Sequence, residues 1–344
     1  MTKTIIHYFT GTGNTAHAVK MITEQLQNNG HEVKISKLKK GILPPDEDAD
    51  YHIIAFPVLS WAAPVMMKQY VKRMPLSAGS KTAILAVNGA IVSHEKLVKG
   101  FTGQALEEIS RILRRKKYDV FLTGNASFPD NWTQFTNPPT KEEAELILSL
   151  GENDVRQFIT CFIQGKRLIY RCGSLNRIWT YLISHLFGYI GRRALGKFYI
   201  ADEHCTACGI CAKSCPAQTI RMSDKKPYWT STCEDCNRCI NLCPEQAIQV
   251  SVPLLILQAS INIVLTVWAI WAILVYVPEW IQMNPLVLVC TEVIFIILAT
   301  IALLWVCIVP IDAFFRLLLR NKKIRRFFSK SYTKGFRRYM APGI

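Results

Sequence analysis

The sequence predicts three structures in one chain: a doubly wound parallel α/β sheet, a small cysteine-dense α+β module, and a hairpin of two transmembrane helices. Apolar runs of strand length alternate with helix-spaced stretches over residues 1–165. The pattern C-x2-C-x2-C-x3-C-P occurs twice between residues 205 and 244, and no charged residue then occurs between Glu245 and Glu279. Alternating strands and helices imply parallel strands with helical crossovers. An apolar run of about 20 residues is long enough to cross a bilayer.

In chain order, residues 4–9 form an apolar run that ends in a Gly/Thr loop, and residues 15–29 place Val19, Ile22 and Leu26 at helical spacing. Further strands are expected at 51–56, 82–87 and 119–122, and helices at 63–74, 101–115 and 140–164. Residues 166–197 are a basic amphipathic linker whose apolar core, 178–190, is too short to span a bilayer. It reads either as a helix packed between domains or as one lying on a membrane surface. Residues 198–250 are the cysteine module, with an internal repeat of 28 residues from Cys205 to Cys233. Transmembrane helices are expected at 253–277 and 285–311, joined by PEWIQMN, with a basic tail at 312–344. Glu292 in the second span invites either a proton or quinone role or a side chain reaching the interface.

The formal charge of +16 is local. Residues 166–199 carry seven basic and no acidic residues, residues 311–344 carry ten and one, and the remainder is balanced. Basic blocks beside apolar ones point to anionic lipid, not to nucleic acid. Arg316, Arg320, Lys322, Lys323, Arg325 and Arg326 follow the second span directly, whereas the connecting loop carries only Glu279. The positive-inside rule then puts the soluble domains and the tail on the cytoplasmic face of the inner (cytoplasmic) membrane, the tail lying along the anionic leaflet. The opening MTKTIIHYF reaches a glycine-rich loop too soon for the apolar core of a signal peptide, which agrees.

In a cytosolic setting the spaced cysteines hold metal sooner than one another. Cys205, Cys208, Cys211 and Cys215 form one run and Cys233, Cys236, Cys239 and Cys243 the other, each closed by a proline. Two-residue gaps let a tight loop present three sulfurs to a cubane, with the fourth arriving from elsewhere. In two-cluster ferredoxins that fourth cysteine ligates the other cluster. The same arrangement here puts Cys243 with Cys205, Cys208 and Cys211, and Cys215 with Cys233, Cys236 and Cys239. Zinc would favour C-x2-C pairs separated by a longer gap. Cys161, Cys172, Cys290 and Cys307 have no such spacing and read as small buried hydrophobes.

The loop Thr10, Gly11, Thr12, Gly13, Asn14, Thr15 lies between a strand and a helix N-terminus, where backbone N–H groups and the helix dipole favour phosphate. It has no lysine, so it is not a Walker loop. Gly11, Gly13 and Ala16 also match a dinucleotide fingerprint, with Lys37, Lys39 and Lys40 placed to meet an NADP phosphate, but no acidic residue stands where a ribose would need one. Three threonines suit a monophosphate, and a five-stranded doubly wound sheet would place FMN at its switch point. Pro57, Val58 and Trp61 follow the third strand, Trp61 as a stacking candidate or a plain aromatic. Asn88 and Gly89 could offer backbone groups to the flavin edge, and Asp130, Asn131 and Trp132 either border the pocket or form a turn.

With CTACGICAKSCP, CEDCNRCINLCPEQAI and FTGTGNT read, the chain resembles fusion proteins that join a flavodoxin-like domain to a two-cluster, bacterial-type 2[4Fe-4S] ferredoxin, with a membrane hairpin appended. The resemblance covers about residues 1–250, and the Gly-Asp pair and covering tyrosine of long-known flavodoxins are missing from residues 88–93. It implies FMN and two [4Fe-4S] clusters exchanging electrons. FMN handles two electrons and each cubane one, so the expected activity is that of an oxidoreductase. It would pass electrons from a cytosolic donor, such as ferredoxin or reduced nicotinamide, to a quinone or a membrane redox protein. The alternative is a non-enzymatic carrier subunit of a larger membrane complex.

Overall fold

A computed structural model describes residues 2–93, 96–276, 284–306 and 312–343. Strands β1 (Thr2–Tyr8), β2 (His31–Lys37), β3 (Tyr51–Pro57), β4 (Lys81–Ser93) and β6 (Asp119–Pro129) form a parallel sheet in the order β2-β1-β3-β4-β6. This is the doubly wound order of the flavodoxin fold, and ligands in such sheets bind beyond the carboxyl ends of the strands at the switch point. Interior strands are covered on both faces, which is why Ile5 and Ile6, or Ile53 and Ile54, are neighbours in sequence and equally inaccessible. Helices α1 (Asn14–Asn28) and α4 (Lys141–Ile163) cover one face, through Val19, Ile22, Val155 and Phe158. Helices α2 (Val65–Arg73) and α3 (Ala105–Arg115) cover the other, through Met67, Val71, Leu106 and Ile109. A capping box fixes the start of α4: Thr140 accepts from the Glu143 N–H while the Glu143 carboxylate accepts from the Thr140 N–H.

The structure differs from the expected pattern in three places. Strand β4 continues past Val87 to Ser93 and pairs there with antiparallel β5 (Lys96–Lys99). Residues 166–197 follow the packed one of the two readings, with an addition at their start: the backbone of Leu168 bonds to Phe121 and Thr123 at the sheet edge. The chain then forms α5 (Ser174–Leu186), a π-helical turn (Phe187–Gly191) and α6 (Arg192–Lys197) across the junction of the two soluble modules.

The third difference is the tail, part of which packs on the protein. Past α11 (Asp312–Leu318) and α12 (Lys322–Phe328) it runs back over both modules, with Ser329, Thr333 and Ala341 buried. The Tyr332 hydroxyl donates to the Gln134 carbonyl, the Arg337 N–H to Asn137 Oδ1 at 2.9 Å, and Arg338 to the Ile248 and Thr333 carbonyls. Of its basic residues, Arg337 and Arg338 find backbone carbonyls there, and Arg320 pairs with Asp224.

In the cysteine module, β7 (Tyr199–Ala201) pairs with β10 (Ile248–Val250) and β8 (Ile220–Ser223) with β9 (Lys226–Trp229). Helices α7 (Ile210–Ser214) and α8 (Arg238–Leu242) start from left-handed residues, Gly209 and Asn237. The repeat of the sequence is a repeat of backbone: Ala207 and Asp235, Gly209 and Asn237, and Gln218 and Gln246 all have positive φ, each pair 28 residues apart. Helix α9 (Val252–Tyr276) leaves β10 directly, and its segment Val252–Ala272 has a mean hydropathy of 1.9 with none of its most apolar window buried. Helix α10 (Pro285–Val306) packs beside it. The connection with Glu279 and Gln282, and Cys307, lie outside the described residues.

Candidate functional site

The loop between β1 and α1 begins at Phe9, buried, and ends at Gly13, whose φ of 108° suits glycine and turns the chain into the helix. Thr10 Oγ1 and Thr15 Oγ1 are buried and have no hydrogen-bond partner among the described residues. Thr12 and Asn14 are engaged: Asn131 Nδ2 donates to Thr12 Oγ1, Asn14 Nδ2 donates to the Pro129 carbonyl at 3.0 Å, and the Tyr339 hydroxyl donates to Asn14 Oδ1 at 3.0 Å. Two orphaned hydroxyls beside a helix N-terminus are a donor set for a phosphate.

Beyond the loop lies a cavity of about 120 Å³. Of the residues singled out in the sequence, Thr10, Gly11, Thr12, Asn14, Thr15, Pro57, Val58, Asn88 and Gly89 line it, as do Asp130, Asn131 and Trp132. Gly13 does not line it, and neither does Trp61. Trp61 instead meets Trp179 at 4.9 Å and Phe101 at 6.0 Å between ring centroids, in a cluster formed with α5, so the proposed stacking partner is elsewhere. The phosphate end fits FMN. The cavity as a whole is smaller than the roughly 300 Å³ of an ordinary ligand pocket, and Phe187 from the π-helical turn and Trp132 are among its lining.

The far wall belongs to the cysteine module: Asp235, Cys236 and Asn237 face the loop across the cavity. Contact is direct. A Cβ on Gly11 would run into the Cys236 carbonyl and lie 3.1 Å from the Cys236 Cβ. Arg238 donates to the Gly11 carbonyl at 2.7 Å, and the Trp132 indole N–H to Asp235 Oδ2 at 3.3 Å. Behind this seam, Arg192 (7% side-chain exposure) and Glu234 (3%) form a buried ion pair at 3.0 Å. Arg192 also donates to the Cys233 carbonyl, and Glu234 accepts from the Met66 N–H.

The cysteines surround two small cavities. Cys215, Cys233, Cys236 and Cys239 line one, beneath Tyr199 and Trp229. Cys205, Cys208, Cys211 and Cys243 line the other. Each set takes its fourth member from the other run. Among the described residues no group of His, Cys, Asp or Glu closes round a point as the ligands of a single ion would, whereas cubane ligands stand round a larger body. Burial above all pushes the Cys236 thiol up to about 12 and the Cys211 thiol up to about 11, with neighbouring cysteines adding to the rise. Cys233 and Cys239 are raised well above the ordinary range for the same first reason. To act as thiolates, the four cysteines of either set would need a cationic centre to share their charge.

Sequence reasoning missed Arg192, Glu234, Arg238 and Tyr339, which join the modules. The adjacent arginines at 192 and 193, closing an otherwise apolar stretch, were the available signal; the tail carried none. Gly196 was also unremarked, although a Cβ there would lie 2.9 Å from the Cys233 sulfur.

Residues 204–248 match the family model of the 4Fe-4S dicluster domain. Comparison with curated proteins finds no match. Among solved structures the chain is similar to a flavodoxin from the domain Archaea, at 16% identity over 45% of this chain and 98% of that one, TM-score 0.29. It is similar to an azoreductase from Bacillus anthracis str. Sterne, at 14% identity over 46% and 100%, TM-score 0.34. It is also similar to oxidised flavodoxin 2 from Bacillus cereus, at 15% identity over 45% and 99%, TM-score 0.28. At these scores the likenesses decide nothing about function, and the N-terminal fold stands on its strand order. The chain thus joins a flavodoxin-like sheet to a segment similar to 4Fe-4S dicluster domains.

Proposed function

We propose that this chain is a membrane-anchored electron-transfer flavo-iron-sulfur protein. The loop Thr10–Thr15 would hold the phosphate of FMN, and the crossed cysteine sets lining the two small cavities would each hold a [4Fe-4S] cluster. Bound FMN supplies exchange between two-electron and one-electron carriers. The observation that carries the reading is the apposition of Gly11 to Cys236: the phosphate-type loop and a cysteine of the inner set touch with no side chain between them. The unburied apolar surface of α9 supports a bilayer anchor, and the basic residues after the second apolar segment support a cytoplasmic orientation at the inner membrane. A soluble donor such as ferredoxin or reduced nicotinamide fits that orientation.

The test is anaerobic purification of the full chain with flavin and iron quantitation, followed by photoreduction of the flavin. Cluster signals should appear by electron paramagnetic resonance without a mediator. Bound flavin whose reduction leaves the clusters oxidised, or no bound flavin together with specific NADP binding, would overturn the reading. A second reading, a carrier subunit of a larger membrane complex, is favoured by the exposed stripe Leu175, Ile178 and Leu182 on α5. Subunits that co-purify and are required for turnover would select it.

A further inference from the structure

A cavity of about 460 Å³ lies away from the flavin-type loop. The cysteine module forms its floor through Tyr199 and Trp229, the opening turns of α9 one wall through Leu257 and Gln258, and the segment after the second apolar helix the other through Phe315 and Arg320. We infer that this cavity is a quinone site, in which the ring of a lipophilic quinone enters from the bilayer and receives electrons from the inner cluster across Tyr199 and Trp229. The inference rests on the electron-transfer reading above and names its membrane acceptor.

Three features single out a quinone. Tyr199 and Trp229 line both this cavity and the one enclosed by Cys215, Cys233, Cys236 and Cys239, so a single layer of aromatic side chains, 5.4 Å apart at their centroids, separates an occupant from the inner cysteines. The walls belong to α9 and to the segment that follows the second apolar helix, so the cavity stands where the chain would leave the bilayer. Its lining is mainly apolar, yet Gln258 Nε2 is buried without a hydrogen-bond partner among the described residues, an amide donor free for a quinone carbonyl. Asp224 holds Arg320 at 3.2 Å, a paired polar group in the wall. The volume lies within the range of about 300–1,000 Å³ usual for small-molecule sites.

The chemistry balances. Reduction of a quinone to its hydroquinone takes two electrons and two protons, and both carbonyls become hydroxyls. A cluster held by Cys215, Cys233, Cys236 and Cys239 would supply the two electrons one at a time. The soluble donor would replace them through flavin held at Thr10–Thr15, and solvent supplies the protons.

A short-chain azidobenzoquinone is the probe, used with the full chain in detergent or nanodiscs. Photolabelling should map to the peptides holding Leu254–Ile261 or Phe315–Arg320 and be displaced by unlabelled quinone. Leu257→Trp should abolish that labelling with iron and flavin content unchanged. Gln258→Leu, which leaves the cavity open, should weaken quinone binding about tenfold, the effect of one lost hydrogen bond. Labelling displaced equally well by phospholipid, labelling spread along α9 and α10 without competition, or no effect of Gln258→Leu would each overturn the site. Failure of the quinone test with both cofactors bound and communicating would leave the electron-transfer reading intact. Competed labelling in a chain without flavin would do the reverse.

Discussion

The two cysteine sets are copies of one motif, alike in spacing and even in their left-handed residues, yet they occupy opposite surroundings. Cys215, Cys233 and Cys239 are buried, roofed by Tyr199 and Trp229, and Cys236 abuts the loop at Gly11. In the other set Cys208 is exposed and Cys205 and Cys211 are half-buried, with no aromatic roof. A repeated motif therefore provides equivalent ligands, and the neighbours decide their use. On the proposed ligation the inner set would hold its cluster between the Thr10–Thr15 loop and the 460 Å³ cavity, and the outer set would hold one nearer to solvent.

Removing a ligand tests this comparison most severely. Cys215→Ala should abolish the inner cluster although Cys215 belongs in sequence to the outer run. Its paramagnetic resonance spectrum should match that of Cys236→Ala; a match to Cys208→Ala would break the crossed assignment.

Next in size is the ion pair behind the inner set. Arg192→Met leaves the Glu234 carboxylate buried and uncompensated, and removing one partner of such a pair costs about 3–5 kcal/mol. Chemical denaturation should show that loss, with the inner cluster released first, and Arg192→Met with Glu234→Leu should recover most of it. Equal loss from both clusters would dissolve the distinction.

Acid should sharpen it. His7 on β1 and His52 on β3 are buried and bonded to each other at 3.0 Å, with His7 also bonded to Tyr70 at 2.8 Å. Burial lowers His7 to about 3, helped by His52, and lowers His52 to about 4, both from 6.5. Neutral in the fold, both would gain protons on unfolding at mildly acidic pH. Their contribution is therefore present above pH 6.5 and lost as pH falls, down to about 4 for His52 and about 3 for His7. For His52 alone the loss is on the order of 3 kcal/mol. Hydrogen exchange should show β1 and β3 opening on acidification before the peptides carrying the outer cysteines, which hold only the exposed His204. Simultaneous opening would count against the histidines as the cause.

The smallest effect is at the contact itself. Gly11→Ala forces a methyl against the Cys236 carbonyl and should cost about 1–3 kcal/mol by overpacking. It should also slow electron transfer from flavin to cluster with both cofactors retained, as read by flash photolysis. An unchanged rate would mean that electrons cross elsewhere.

Much of this was legible before the structure. The cysteine motif encodes its own loop, because ligands two residues apart constrain the backbone locally, and Thr10–Thr15 announced an anion site because a strand, a glycine turn and a helix follow in unbroken order. The aromatic residues were not legible. Trp61 and Trp132 each follow a strand, but only the packing of α5 draws Trp61 away to Trp179 while the cysteine module holds Trp132 at the cavity.

Near neighbours along the chain are enough to set the α/β alternation, the two cysteine runs, the phosphate-type loop and the apolar segments. Tertiary structure alone decided which glycine touches which cysteine, that Arg192 answers Glu234, and that the basic tail is a strap whose Tyr339 reaches Asn14 across 325 residues. Those contacts join distant parts of the chain, so each depends on the packing of every element between and leaves no periodic trace in the sequence.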